Sequence, residues 1–382
     1  MKTSLDCIPC FLRQALEATR FMTTDPISQE TIMREVLKNT AEMNMTQPPP
    51  LLAALFYRWL HEKAGGVDFY QPVRERFNRL VLDLLPELER RIDASADPVA
   101  AALRFSIAGN MIDFGINGGV TEEEVLKGIE HAFQAPFYGN IDDFRHAIRQ
   151  AHKILYLADN AGEIVLDRLL IERLPKDRVV LAVRGCPVIN DATMADAEAV
   201  GLTSLVKVID NGSDVPGTAV SQCNHEFQRC FSEADLIIAK GQGNFETLSE
   251  EPGNIFFLFT VKCPVVSAEV GLPVGTQVLL YSAKPAISRQ LQETGVVANS
   301  SPPQLIQLIA GLCRFPERFD PRVLAFTRLL CGPQIHILLE SQPKLGCRIK
   351  QPGQPMGHVR AHRSLLPYDL INCPSRHSQL LS

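Results

Sequence analysis

Three groups of oxygen- and nitrogen-bearing side chains stand where apolar runs break off. Asp159-Asn160-Ala161-Gly162-Glu163 follows the run 153–158, Arg184 and then Asn190-Asp191 follow 179–183, and Lys240-Gly241-Gln242-Gly243-Asn244 follows 235–239. Asp159, Asn160 and Asp191 carry the hard oxygen atoms that Mg²⁺ and Mn²⁺ prefer, and Glu163 adds a carboxylate one helical turn further on. A divalent cation held by such atoms neutralises charge on phosphoryl oxygens, and it lowers the pKa of a bound water or positions a carboxylate nucleophile. Arg184 and Lys240 can then hold the phosphate itself. The glycines at 241 and 243 can bring backbone N–H groups close to an anion. A further glycine-bearing strand end, Asp210-Asn211-Gly212-Ser213, is similarly placed.

Each group also has a plainer use. Asn160-Ala161-Gly162-Glu163 reads as a helix capping box, and Asp191 as the N-cap of a helix beginning Ala192-Thr193. Asn110 and Asp113, one turn apart on an otherwise apolar helix, fit a satisfied core pair or a C-terminal cap before Gly115. Taken singly, these alternatives stay open. Acids, amides, a lysine and an arginine nevertheless collect at the edge where open α/β sheets bind ligands. The pattern alone supports an anion- or nucleotide-binding α/β protein.

The elements that must position these residues follow from periodicity. Residues 7 to about 150 read as helical, with apolar positions three and four apart, interrupted at Gln47-Pro48-Pro49-Pro50 and Asp97-Pro98. From 153 to about 281 strands are expected at 153–158, 178–183, 204–209, 235–239, 255–260 and 277–281, with helices at 163–174, 191–200 and 218–233. That alternation implies right-handed crossovers and a mostly parallel sheet with helices on its faces. The last strands lack a recognisable helical spacer and are expected as antiparallel edges. The expected divisions are a helical domain over 1–150, an α/β domain over 151–282, and an extension over 283–382. The extension is partly helical, then dominated by Pro, Arg, His, Ser and Gly, a composition expected to be disordered or loosely docked.

The 382 residues carry a net charge of −5 with a pI near 6.0, which argues against a nucleic-acid-binding surface. A hydrophobic content of 46% suffices for a sizeable core, yet no apolar run spans a bilayer. The N-terminus lacks the apolar core of a signal peptide, so a cytoplasmic location is expected. Of ten cysteines, only Cys7-Ile8-Pro9-Cys10 has ligand-like spacing. It is half of a zinc site with no second CxxC to complete it, and it is read as structural or accessory.

Asp159-Asn160-Ala161-Gly162-Glu163, Arg184-Gly185-Cys186-Pro187-Val188-Ile189-Asn190-Asp191-Ala192-Thr193 and Lys240-Gly241-Gln242-Gly243-Asn244-Phe245-Glu246 resemble motifs of the damage-control phosphatase family. That family carries the ARMT-like metal-binding domain, long known as domain of unknown function eighty-nine. Ala108-Gly109-Asn110-Met111-Ile112-Asp113-Phe114-Gly115 matches as well, and Cys7-Ile8-Pro9-Cys10 is typical of the short prokaryotic branch. The similarity runs in order from about residue 4 to about 282. The branch usually ends soon after the strand Lys262-Cys263-Pro264-Val265-Val266 and its hairpin, so the last hundred residues depart from it.

The resemblance implies a helical domain packed on a Rossmann-like α/β domain, with a metal between them at the strand edge. It implies a phosphatase that requires Mn²⁺, Co²⁺ or Ni²⁺, with Mg²⁺ as a further candidate, and that acts on small phosphorylated metabolites such as sugar phosphates or damaged cofactor phosphates. By motif, Asp159, Asn160 and Asp191 would be the metal ligands. Asp159, Glu163 and Lys240 would serve catalysis. Arg184, Lys240 and Gly241 would meet the substrate, with Asn110 and Asp113 reaching in from the helical domain. Direct attack by Asp159 and attack by a metal-bound water both remain open. An S-adenosylmethionine-dependent carboxyl methyltransferase would need a glycine-rich adenosine loop after the first strand, whereas 159–163 is acid-rich with one glycine. A non-catalytic sensor of a phosphometabolite is the third reading. No nucleic-acid or membrane partner is expected, and the sequence leaves the oligomeric state undetermined.

Overall fold

Polar and proline punctuation sets the helices of the first half. The computed structural model describes residues 1–109 and 122–284; Asn110, Asp113 and the stretch from 285 onward lie outside the described residues. Five helices come first: α1 (Cys7–Met22), α2 (Pro26–Ala41), α3 (Pro49–Lys63), α4 (Gln71–Asp93) and α5 (Pro98–Gly109). Pro26 and Pro49 stand in first turns, where a missing N–H costs nothing, and Asp25 caps α2 by accepting from the Ser28 N–H at 2.9 Å. After α6 (Glu122–Gln134), the two-residue strand β1 (Phe137–Tyr138) interrupts the region expected to be helical throughout. It is too short to show an alternating pattern, and its pairing with Gln277 and Val278 is made far along the chain. Helix α7 (Ile141–Gln150) follows, capped by Asn140.

The second half alternates as expected: β2 (Ile154–Leu157), α8 (Glu163–Ile171), β3 (Val179–Val183), α9 (Met194–Ala199), β4 (Lys207–Asp210), α10 (His225–Glu233) and β5 (Leu236–Lys240). Then come α11 (Gln242–Leu248), β6 (Gly253–Thr260), α12 (Pro264–Val270) and β7 (Gln277–Lys284). The late strands therefore do have helical spacers, contrary to expectation. Gly241, at a φ of 79°, turns the chain from β5 straight into α11, so what reads as a glycine loop is a strand-to-helix joint. The stretch 262–266, expected as a strand, instead opens α12. The Sγ of Cys263 accepts from the Val266 N–H at 3.5 Å, and Pro264 occupies the first turn.

The seven described strands form one sheet in the order β1-β7-β6-β5-β2-β3-β4, in which only the β6–β7 pairing is antiparallel. β7 is not an edge, because β1 lies outside it. The five strands from β2 to β6 cross the sheet as 3-2-1-4-5 by chain order, the doubly wound arrangement. Alternate residues feed two cores. Ile154 and Tyr156 join Phe77, Leu103, Phe144 and Leu166 on one face. Leu155 and Leu157 join Phe227, Phe245 and Val266 on the other. A smaller cluster of Ala18, Ala53, Tyr57, Leu60 and Tyr70 closes over Val188, which places the first helices against the loop after β3. No described helix is long and apolar enough to cross a membrane.

Candidate active site

The chain reverses its direction of winding between β2 and β5, and the crevice beyond their carboxyl ends is where such sheets take ligands. Past β2, the Ala192 N–H donates to the Asp159 carbonyl at 2.8 Å and the Ala161 N–H to the Asn190 carbonyl at 2.8 Å. Asn160 and Asp191 thereby face each other as an antiparallel bridge. On the β5 side, a Cβ at position 241 would lie 1.9 Å from Asp159 Oδ2. The carboxylate rests on bare glycine backbone. The structure thus brings Asp159, Asn160, Asp191 and Gly241 together from three stretches of sequence. The Gly241 N–H is itself spent on the Leu258 carbonyl at 2.9 Å, so this glycine contributes room rather than an anion donor.

The capping alternatives do not hold here. Gly162, not Asn160, is the N-cap of α8, with no side-chain cap. The Asn160 amide instead donates to Asp159 Oδ2 at 2.7 Å and to Glu163 Oε2 at 3.2 Å. Helix α9 is capped by Thr193 and Asp196, which leaves Asp191 out of that role. Ile189, just before, has a φ of 47°, a strained value for a β-branched residue, and its carbonyl accepts from Arg74 Nη1 at 3.3 Å. That turn aims Asn190 and Asp191 at the strand edge.

Burial pushes the Asp159 carboxyl well above the usual carboxylate range, and the charges of Glu163 and Asp191 push it further. Burial also raises Asp191, against the pull of Arg184, whose Nε donates to Asp191 Oδ2 at 2.6 Å. Carboxylates that repel one another in a low-dielectric crevice are the donor set that a divalent cation relieves. The Asn160 amide already puts positive hydrogen between two of them. Among the described residues, no group of three or more His, Cys, Asp and Glu forms a ready metal cage. The set Asp159, Asn160 and Asp191 has two carboxylates and one amide, so it fits a cation that keeps water or substrate as its other ligands.

The cations expected to meet a phosphate are tied down. Lys240 is fully buried, and its ammonium donates to Glu163 Oε1 at 2.7 Å, Asp167 Oδ1 at 2.5 Å and the Ser106 carbonyl at 2.9 Å. Three protons meet three acceptors. Burial pulls this ammonium down, but Asp167 and Glu163 outweigh it and leave it raised. Asp167, raised by burial, also accepts from Ser106 Oγ at 2.7 Å and the Tyr156 hydroxyl at 2.8 Å. Two carboxylates here share one ammonium, and Asp167 carries the excess. Arg184, buried as well, reaches Thr218 Oγ1 at 3.3 Å and Asn244 Oδ1 at 3.4 Å besides Asp191.

Asp167 was not anticipated. The signal was available: Glu163 and Asp167 are four apart in the apolar helix EIVLDRLLI, and so share a face. Asn78, which accepts from the Gly162 N–H at 2.7 Å and donates to Asp196 at 2.7 Å, gave no signal within α4. Cys7 and Cys10, in the first turn of α1, are thiols raised chiefly by burial and further by the charges of Glu246 and Cys263. The CxxC pair therefore lies near the segments that follow β5 and β6.

Glu246 gives a prediction of its own. Burial raises its carboxyl to about 7, against the pull of Gln242, the N-terminal ammonium and Lys262. The folded protein therefore keeps a proton that the unfolded chain gives up above about pH 4.5. Stability from this group is full below that pH and falls as pH rises through 7, by about 3 kcal/mol. Urea unfolding of Glu246→Gln at pH 5 and pH 8 is expected to lack that fall, and to show a more stable protein than the parent at pH 8.

The family profile for the damage-control phosphatase ARMT1-like domain matches residues 3–278. The chain is 33% identical over 291 residues to the damage-control phosphatase PH1575 of Pyrococcus horikoshii, covering 73% of this chain and 98% of that one. It is also 33% identical over 286 residues to a damage-control phosphatase of Archaeoglobus fulgidus, covering 73% and 98%. The crystal structure of the Pyrococcus horikoshii protein, described as a DUF89 family protein, aligns with a TM-score of 0.68 at 31% identity, over 74% of this chain and 99% of that one. With its winding order, its acid-and-amide strand edge and this agreement over nearly the full length of two relatives, the chain belongs to the damage-control phosphatase ARMT1-like family.

Proposed function

We propose that this protein is a divalent-metal-dependent phosphatase that hydrolyses small phosphorylated metabolites, in the manner that its relatives' name of damage-control phosphatase indicates. The observation that carries the reading is the meeting of Asp159, Asn160 and Asp191 at the point where the sheet reverses its winding. Those three residues would hold the cation. When bound, it supplies charge neutralisation at the phosphoryl oxygens and activation of the attacking group.

The chain's own residues do the rest. Gly241 lets the Asp159 carboxylate lie against the β5 turn, which fixes its direction. Glu163 presents Oε2 toward Asn160 while Lys240 grips Oε1; this carboxylate would take the proton where water is the attacking group. Lys240 acts through Glu163, as a positioning residue. Arg184 holds Asp191 against the Thr218 and Asn244 layer, so that Asp191 keeps its aim.

The test is phosphate release from p-nitrophenyl phosphate and from a panel of sugar, nucleotide and cofactor phosphates, with Mn²⁺, Co²⁺, Ni²⁺ or Mg²⁺ added in turn. Release is expected with at least one of these metals, to vanish with chelator, and to return when metal is restored. No release from any ester with any metal would overturn the reading. Tight binding without turnover would make the protein a sensor instead.

A further inference from the structure

Both loops that carry the candidate metal ligands lean on one helix of the first half. Asn78, on α4, is buried, and its amide spans from one loop to the other. Its Oδ1 accepts from the Gly162 N–H at 2.7 Å, just past Asn160. Its Nδ2 donates to Asp196 Oδ1 at 2.7 Å. The other oxygen of Asp196 accepts from the Thr193 N–H at 2.8 Å and from Thr193 Oγ1 at 2.7 Å, just past Asp191. A peptide N–H only donates and a carboxylate only accepts, so these partners fix which end of the amide faces each loop.

One turn earlier on the same helix, the buried Arg74 repeats the device. Its Nη2 donates to Asp68 Oδ2 at 2.5 Å and its Nη1 to the Ile189 carbonyl at 3.3 Å, while its Nε lies 3.4 Å from Asp196 Oδ2. It thereby holds the strained turn before Asn190 and backs the carboxylate that Asn78 grips. The two loops are thus tied to each other by the backbone bonds of Ala161 and Ala192 and, through Asn78, by a side chain of α4. A cation that takes only two carboxylates and one amide from the protein depends on having those oxygens held at a fixed spacing before it arrives.

We propose that Asn78 is a positioning residue of the metal site, setting the spacing between the loop of Asp159 and Asn160 and the loop of Asp191, and hence the affinity for a divalent cation. The proposal rests on the metal-dependent reading above and adds the residue of the helical half on which that affinity depends. Asn78 acts through Gly162 and Asp196, so its removal is read in metal binding before it is read in ester binding. Loss of such an outer partner costs about 10- to 100-fold in metal affinity.

Calorimetry of Mn²⁺ binding to the metal-stripped, full-length chain tests it without turnover. Asn78→Leu, close to the parent side chain in volume, is expected to raise the dissociation constant by about 10- to 100-fold. Asn78→Asp keeps an oxygen for the Gly162 N–H but sets a second carboxylate against Asp196, and its constant should fall between those of the parent and Asn78→Leu. In p-nitrophenyl phosphate hydrolysis, Asn78→Leu should need correspondingly more Mn²⁺ for half-maximal rate, with KM for the ester at saturating metal within about threefold of the parent. Leu88→Ala, which opens the core further along α4, is the control: it should lower the unfolding temperature and leave the Mn²⁺ constant unchanged. Unchanged Mn²⁺ affinity in the Asn78 variants would overturn the proposal, as would an equal loss in Leu88→Ala or a parent to which Mn²⁺ does not bind. Should Asn78→Leu not fold, Asn78→Asp carries the comparison with the parent and Leu88→Ala. A parent that binds Mn²⁺ without hydrolysing esters, with weaker binding in the Asn78 variants, would uphold the Asn78 assignment while the hydrolytic reading fell. A parent that hydrolyses esters, with Mn²⁺ binding untouched in the variants, would do the reverse.

Discussion

Asp159→Ala is expected to lower metal-dependent phosphate release by at least about a thousandfold while leaving the metal-free fold as stable as before, or more so. The two halves of this result have one cause. Asp159 is buried beside Glu163 and Asp191, and its carboxyl is held well above the usual range. At pH 7 the folded chain therefore bears the cost of a charge that the unfolded chain carries in water, and alanine removes that cost. A residue kept for stability would show the opposite sign. Thermal unfolding with and without Mn²⁺ supplies the third reading: stabilisation by metal in the parent should be absent in the variant. Full activity in Asp159→Ala would remove this residue from the site.

Lys240→Met is expected to cost about 3–5 kcal/mol of stability and to abolish activity with it. The lysine is the single ammonium between Glu163 and Asp167, and all three groups are fully buried. Without it, two carboxylates face each other out of water, and they respond by taking up protons. The damage should therefore be smaller at pH 5 than at pH 8, because a buried acid that holds its proton in the fold loses stability as pH rises. Adding Asp167→Asn should recover part of the loss by removing one of the two stranded charges. Denaturation of both variants at the two pH values checks this. If Lys240→Met unfolded like the parent at pH 8, the buried bridge would not be a structural keystone, and its link to Glu163 would need another account.

The edge residues were legible because each strand is an apolar run that ends on a polar pair. Asp159, Arg184 and Lys240 declare themselves where 154–157, 179–183 and 236–239 stop. The pairing of those ends was not legible. That Asn160 faces Asp191, or that Lys240 crosses to Asp167 from 73 positions away, depends on strand order rather than local pattern. Sequence also left Asn160 undecided between cap and ligand. The left-handed Gly162, at a φ of 78°, starts α8 without it and frees its amide for the carboxylates. Helices α11 and α12 escaped notice because each is seven residues long and opens on glycine or proline signals that read equally well as loop. Asn110 and Asp113, which the family resemblance brings to the site, fall outside the described residues.

The lateral margins of the sheet have a consequence for assembly. Among the described strands, one margin is β1, only two residues long; the other is β4, four residues long, whose terminal Lys207 and Asp210 are both exposed, with Lys207 bound to Glu226 at 2.7 Å. Margins this brief, one of them flanked by charge, present few open backbone groups for a strand of another molecule to zip onto. Growth of the sheet from chain to chain is thereby discouraged. The crevice past β2 and β5 lies at the middle of the sheet and not at either of these margins, so it stays clear of any such pairing.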